Sequence, residues 1–104
     1  MYVQLVTFTL DGPTEAQYHE ACRQETDVFT QLPGLLAKIW LRDPDTGTYG
    51  GLYLWRDRGC YEDYINSDVF RAIQEDQSFA GVTSHGFDHF EDLTKATQPG
   101  LTVA

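Results

Sequence analysis

Apolar and polar positions alternate from Tyr2 to Leu10, with Val3, Leu5, Thr7 and Thr9 on one side and Val6, Phe8 and Leu10 on the other. A period of two predicts a strand. Asp11-Gly12-Pro13 is turn chemistry. Thr14 and Gln17 then have the spacing of a capping box, which predicts a helix start. Tyr18, Ala21, Cys22, Val28, Phe29 and Leu32 form its apolar stripe, and Pro33-Gly34 ends it. Leu35 to Arg42 alternates again: Leu35, Ala37, Ile39 and Leu41 on one face, Leu36, Lys38, Trp40 and Arg42 on the other. Asp43-Pro44-Asp45-Thr46-Gly47 reads as a hairpin loop into a third, antiparallel strand, Thr48 to Trp55. A second helix is expected over roughly 59–76, and Val82 to Glu91 as the last strand. The tail after Leu93 is polar, carries Pro99-Gly100, and is expected to be partly irregular.

The order βαββαβ implies an α+β, ferredoxin-like sandwich: one four-stranded antiparallel sheet with two helices on one face. Without a linker or low-complexity stretch, residues 1–104 are expected to form a single domain. Strand parity places Trp40, Tyr53 and Trp55 on one face. If the helices cover the aliphatic face, these aromatics form an exposed patch that calls for a partner. If the aromatics face the helices, they line a cavity and the aliphatic face is free. Parity leaves both open, and both imply a homodimer packed sheet against sheet.

Charge removes some partners. Sixteen acidic residues against seven basic give −9, which repels phosphate backbones and anionic lipid, so neither nucleic acid nor a membrane surface is expected. The start MYVQLVTFTLDG has no basic leader and no sustained apolar block. Cys22 and Cys60 lie far apart, outside any CxxC pattern, and read as reduced core residues. A cytoplasmic protein is the expectation.

Several residues are candidates for chemistry. Glu25 falls inside the apolar stripe of the first helix; a carboxylate there is a candidate general base or acid, unless the helix is rotated or Glu25 sits at an open mouth. His85 and His89 are four apart on the expected strand, about 13 Å, too far to share a metal ion. One of them is a candidate base or substrate hydrogen-bond donor. Lys38, beside Trp40, either neutralises a developing oxyanion or pairs with an acid across a dimer interface. Gly50-Gly51 inside a strand marks a bulge or close approach. No GxSxG, HExxH or phosphate loop is present, so no metal, nucleotide or flavin is expected.

The segment YINSDVF, Tyr64 to Phe70, breaks the helical pattern. On an ideal helix the stripe runs through Tyr61, Ile65, Val69, Ala72 and Ile73, with Tyr64 on its edge and Phe70 nearly opposite. Ser67 can cap a new turn. A break at Asn66-Ser67-Asp68 would turn Phe70 inward and open space beside Tyr64. The Tyr64 hydroxyl then either meets water or enters a cavity.

Phe8 with Gly12-Pro13, PGLLAKIW (33–40), GGLYLW (50–55), Tyr64 and FDHFEDLT (87–94) together resemble the YdhR-like monooxygenases of the dimeric α/β-barrel superfamily. The resemblance spans nearly the whole chain. It implies a homodimer closed through the sheets, a pocket between helices and sheet in each protomer, and oxygenation without metal or flavin. YINSDVF is also similar to a segment of haem-degrading relatives, where a tryptophan stands at the position of Tyr64 and a ligating histidine at that of Gln74. Glutamine is not a usual axial ligand, which disfavours haem. Cofactor-free quinol oxygenases of polyketide pathways likewise carry a tryptophan there, whereas a plant polyketide cyclase carries a tyrosine that acts on substrate. That cyclase's histidines have no counterpart, since Ser67 and Phe70 stand in the corresponding segment.

The expectation is therefore a cofactor-independent monooxygenase acting on a phenolic or polycyclic aromatic substrate and molecular oxygen. Tyr64, Glu25 and His85 are its candidate catalytic residues. Trp40, Tyr53, Trp55, His89, Lys38 and Phe70 are its candidate substrate contacts. A cyclase, lyase or isomerase using the same pocket, or a non-catalytic dimeric binding module, are the alternatives.

Overall fold

Thr14 starts the first helix as the capping-box spacing predicts. In the computed structural model, which describes residues 1–98, its hydroxyl accepts from the Gln17 amide at 3.2 Å, and the Gln17 side chain accepts from the Thr14 amide at 2.9 Å. The elements run β1 (Tyr2–Leu10), α1 (Glu15–Thr30), β2 (Leu35–Asp43), β3 (Thr48–Trp55), α2 (Arg58–Ile65), α3 (Asp68–Glu75), β4 (Phe79–Phe87) and α4 (Glu91–Ala96). The sheet order is β2-β3-β1-β4, all neighbours antiparallel. The ferredoxin-like arrangement is as expected, with α1, α2 and α3 packed on one face. Among the described residues no helix is long and apolar enough to cross a membrane.

The ladder register decides which face is which, because residues opposite one another share a side. One set of rows reads Lys38–Tyr53–Gln4–Gly86 and Trp40–Gly51–Val6–Ser84, flanked by Arg42–Tyr49–Phe8. These residues meet the helices, and Val6, Phe8, Tyr49, Tyr53 and Trp55 form the core with Phe29, Cys60, Tyr64 and Phe70. The other set reads Ala37–Leu54–Val3–Phe87 and Ile39–Leu52–Leu5–His85. Of the two arrangements parity allowed, the aromatics face the helices and the aliphatic face is left open, with Ile39 44% and Phe87 51% exposed.

Three expectations need correction. Leu35 does not share a face with Ala37: the β2–β3 register slips between them, so Leu36 is an extra residue and Leu35 joins Trp55 on the helix side. The single helix over 59–76 is two, and the break lies where Phe70 suggested it. Ser67 is the N-cap of α3, its hydroxyl accepting from the Phe70 amide at 3.3 Å, and Phe70 is turned into the core. With α2 ending at Ile65, Tyr64 is no longer at a stripe edge and is buried with Cys60. The last strand runs from Phe79 to Phe87, not 82–91. Gly81, at φ +63°, takes up a bulge that lets Phe79 pair with Leu10, and the chain leaves the sheet before α4. Glu91 and Asp92 then sit in the first turn of α4, where carboxylates favour a helix start. Pro99-Gly100 lies outside the described residues.

Candidate functional site

A cavity of ≈ 380 Å³ lies between the helices and the aromatic face of the sheet. Its floor is built by the sheet rows through Lys38–Tyr53 and Trp40–Gly51–Val6, its roof by Tyr18 to Phe29 of α1 and by Val69, Ala72 and Ile73 of α3. Gly51 is what hollows the floor: a side chain at 51 would stand 2.9 Å from the Lys38 Cε and 3.1 Å from the Tyr53 ring. Gly50 is needed for a different reason. Its φ is +154° and a Cβ there would sit 1.9 Å from the Val6 carbonyl oxygen, so only glycine lets β1 and β3 approach.

Lys38 is the unusual group in this cavity. Its Nζ lies 3.4 Å from the ring centroids of both Phe29 and Trp40 and 4.8 Å from that of Tyr53. It has no ion-pair partner among the described residues. Burial pulls its pKa down from 10.5 to about 7, against a smaller opposing influence from Cys22. The amine is therefore partly neutral near physiological pH and can accept a proton. The pairing with an acid weighed from the sequence is not formed within the protomer.

Behind the Tyr53 wall stands a second layer. Tyr53 and Tyr64 share a hydrogen bond between hydroxyls at 3.2 Å, both rings buried. Burial pushes the Tyr64 phenol up to about 12, with the Tyr53 hydrogen bond opposing, and burial raises Tyr53 as well. Neither ionises near neutrality, so they act as hydrogen-bonding groups. Only one of their two hydrogens is used between them, and neither hydroxyl has a third partner among the described residues. Trp55 stacks on Tyr53 at 6.0 Å and 4°, and its indole N–H donates to Gln4 at 3.0 Å. Gln4 in turn donates to Ser84 at 2.9 Å, which satisfies the one fully buried amide. Phe70 packs on Tyr64 at 5.3 Å.

The candidates from sequence thus separate. Lys38, Trp40, Tyr53 and Glu25 line the cavity; Glu25 is exposed, so of its expected settings the open mouth is the one found. Tyr64, Trp55 and Phe70 form the layer behind and do not line it. His85 is on the open face of the sheet, opposite Leu5, and is not brought to the cavity. His89 follows β4, 3.7 Å from Asp88, with its Nδ1 buried and unbonded. Sequence reasoning missed Tyr18 and Cys22 as cavity residues. Both were counted only as stripe positions, and burial raises both the Tyr18 phenol and the Cys22 thiol.

The sequence matches the family described as "Putative mono-oxygenase ydhR" over residues 3–99. The chain belongs to this family. No curated protein matches it by sequence. Among solved structures it is similar to a putative antibiotic biosynthesis monooxygenase from Deinococcus radiodurans, at 15% identity and TM-score 0.70, covering 88% of this chain and 94% of that one. It is similar to SnoaB, a cofactor-independent oxygenase from Streptomyces nogalater, at 16% identity and TM-score 0.67, covering 86% and 93%. It is also similar to the haem-degrader MhuD from Mycobacterium tuberculosis, solved with two haems in its active site, at 13% identity and TM-score 0.68, covering 86% and 95%. At these identities the ydhR family protein shares a fold with the three, and its chemistry has to be argued from its own residues.

Haem does not fit those residues. No histidine lines the cavity, Gln74 is exposed on α3 outside it, and burial keeps the Cys22 thiol and the Tyr18 and Tyr53 phenols there from ionising readily.

Proposed function

We propose that this ydhR family protein is a monooxygenase that works without a bound cofactor on a phenolic or polycyclic aromatic molecule of the quinol or anthrone type. The observation that carries the reading is the placing of Lys38 in the wall of an aromatic cavity with no ion-pair partner among the described residues, where burial pulls its pKa down to about 7. Aromatic rings from Phe29, Trp40 and Tyr53 offer stacking surface for a flat substrate. Neutral Lys38 takes a proton from the substrate, and the ammonium so formed stays beside the resulting enolate or phenolate oxygen. In an apolar setting that ion pair is far stronger than in water. The hydrogen left over in the Tyr53–Tyr64 pair holds the substrate oxygen, so Tyr64 acts as a positioning residue through Tyr53. The substrate carbanion passes one electron to dioxygen and the radical pair joins through a C–O bond. The peroxide then loses water to leave a ketone. In an anthrone a ring CH2 and O2 become C=O and H2O; in a naphthoquinol a ring C–H is hydroxylated, the diol becomes the quinone and water again leaves; in both the substrate supplies all four electrons.

In this reading the protein is a homodimer joined through the open face, where Ile39, Leu52, Val3, Leu5 and Phe87 present a continuous apolar surface.

Oxygen consumption with an anthrone or a naphthoquinol as probe, after chelator treatment, tests the function. Uptake should persist without metal, fall by about 100-fold in Lys38→Met, and fall at least about tenfold in Tyr64→Phe. Uptake that vanishes with chelator, or that ignores both substitutions, would sink the reading.

A further inference from the structure

The same cavity holds a nucleophile as well as a base. We propose that Lys38 forms imines with aromatic aldehydes and ketones, making this a carbonyl-binding site that works without oxygen. The chain has two lysines, Lys38 and Lys95, and they are opposites. Lys95 is exposed and paired with Glu91 at 3.3 Å. Lys38 has no ion-pair partner among the described residues, is half-buried, and faces a cavity large enough for a bicyclic ring.

Three features favour attack by this amine. Gly51 beneath it gives the Lys38 Cε room to lie across the cavity floor, which carries the amine to the three rings. The rings of Phe29 and Trp40 at 3.4 Å accommodate a cation over their faces, which suits a protonated imine as well as an ammonium. Burial leaves much of the amine unprotonated above about pH 7, the state needed for attack. The other titratable groups facing the cavity are Tyr18, Cys22 and Glu25 from α1, Tyr53 from β3, and Asp76 after α3. Tyr18 and Tyr53 keep their protons and can donate to the oxygen of the adduct.

The chemistry balances without an oxidant. The Nζ lone pair forms a bond to the carbonyl carbon, the oxygen takes up a proton, and the nitrogen loses one. The resulting hydroxyl leaves as water, giving C=N. Aromatic rings on the carbonyl compound fill the site the proposed aromatic substrate would use, but no step depends on oxygen or on the monooxygenase reading.

Anaerobic incubation of the intact protein with 2-naphthaldehyde and cyanoborohydride tests this, because reduction fixes an imine and leaves a thiol adduct reversible. Peptide mass mapping should find the naphthylmethyl group on Lys38 at least about tenfold faster than on Lys95. The ratio of Lys38 to Lys95 labelling should hold steady below about pH 7 and fall above it, because only Lys95 still gains neutral amine there. 2-Methylnaphthalene, which fills the cavity but has no carbonyl, should slow the labelling of Lys38 and not that of Lys95. Lys38→Arg should lose the fast label while keeping its far-ultraviolet circular dichroism; if that variant does not fold, the two-lysine comparison within the native chain still decides. Equal labelling of both lysines, or no competition by 2-methylnaphthalene, overturns the proposal. Labelling of Lys38 in a protein that consumes no oxygen with the anthrone and naphthoquinol probes would leave this inference standing and remove the monooxygenase reading alone.

Discussion

Replacing Lys38 with methionine should stabilise the protein at acid pH and abolish a pH dependence that the native chain carries. An unfolded lysine holds its proton to about pH 10.4, whereas folded Lys38 releases it at about 7. Between those values the unfolded state binds more protons, so stability rises with pH; below about 7 both states are protonated and the folded state bears the whole cost of the buried charge. The interval from 10.5 to about 7 converts to about 5 kcal/mol at about 1.4 kcal/mol per pH unit. Attraction to the Phe29 and Trp40 rings favours the charged form by about 1–2 kcal/mol and opposes this. The pH-dependent part should therefore lie between about 3 and 4 kcal/mol. Methionine keeps the chain length and volume roughly, and it removes the charge. Urea unfolding at fixed protein concentration, followed by circular dichroism from about pH 6 to pH 8.5, measures the effect. The variant should be more stable than the native protein by about 3–4 kcal/mol at the acid end, and the difference should shrink above pH 7 by up to about 1.4 kcal/mol per unit. Cys22 loses the pull of the Lys38 charge in the variant, which adds a smaller change of its own at alkaline pH; the other raised groups titrate alike in both proteins and cancel from the difference. A difference that is flat across pH, or a variant less stable at pH 6, would refute the assignment of Lys38 as a desolvated amine.

Ser67→Ala should cost about 1 kcal/mol through loss of the α3 cap, seen as a melting temperature about 4–8 °C lower in a domain of this size, while Ser67→Asp should retain most of it. Gly50→Ala should cost more than about 3 kcal/mol or prevent folding, because the new methyl meets the Val6 carbonyl. Gly47→Ala has nothing within 4 Å of its Cβ and only an unfavourable φ of +73°, so about 1 kcal/mol is expected there; urea midpoints compare the two. Ile39→Asp, placed on the open sheet face, should shift sedimentation from dimer to monomer without disturbing the cavity, and an unchanged dimer would show that the copies meet elsewhere.

The local signals in the sequence were strong where one residue sets the geometry. Thr14 and Gln17 defined a cap, Asp43 to Gly47 a turn, and the misplaced Phe70 with Ser67 behind it a helix break. Which face of the sheet meets the helices was not legible, because a period of two describes both faces equally and the slip at Leu36 changes parity midway along β2. The start of the last strand is illegible for a similar reason: Gly81 breaks the alternation, so Phe79 reads as separate from the strand it begins. In the site, Tyr64 and Lys38 were both noticed but their roles could not be ordered. The low pKa of Lys38 comes from three rings, supplied by α1, β2 and β3, closing around one amine; no spacing along the chain encodes that desolvation. His85 was misleading because its strand position said nothing of which side it faced.

The break at Ser67 also divides labour between the two short helices. α2 anchors the fold, burying Cys60 and Tyr64 against the sheet, while α3 supplies Val69, Ala72 and Ile73 to the cavity roof. Because the helix does not run through, substitutions on α3 can resize the chamber without shifting α2. One eight-residue wall thus contributes to cavity volume separately from the helix that holds Tyr64, and changes at Val69, Ala72 or Ile73 would alter the size of molecule accepted while the hydroxyl pair and the lysine stay in place.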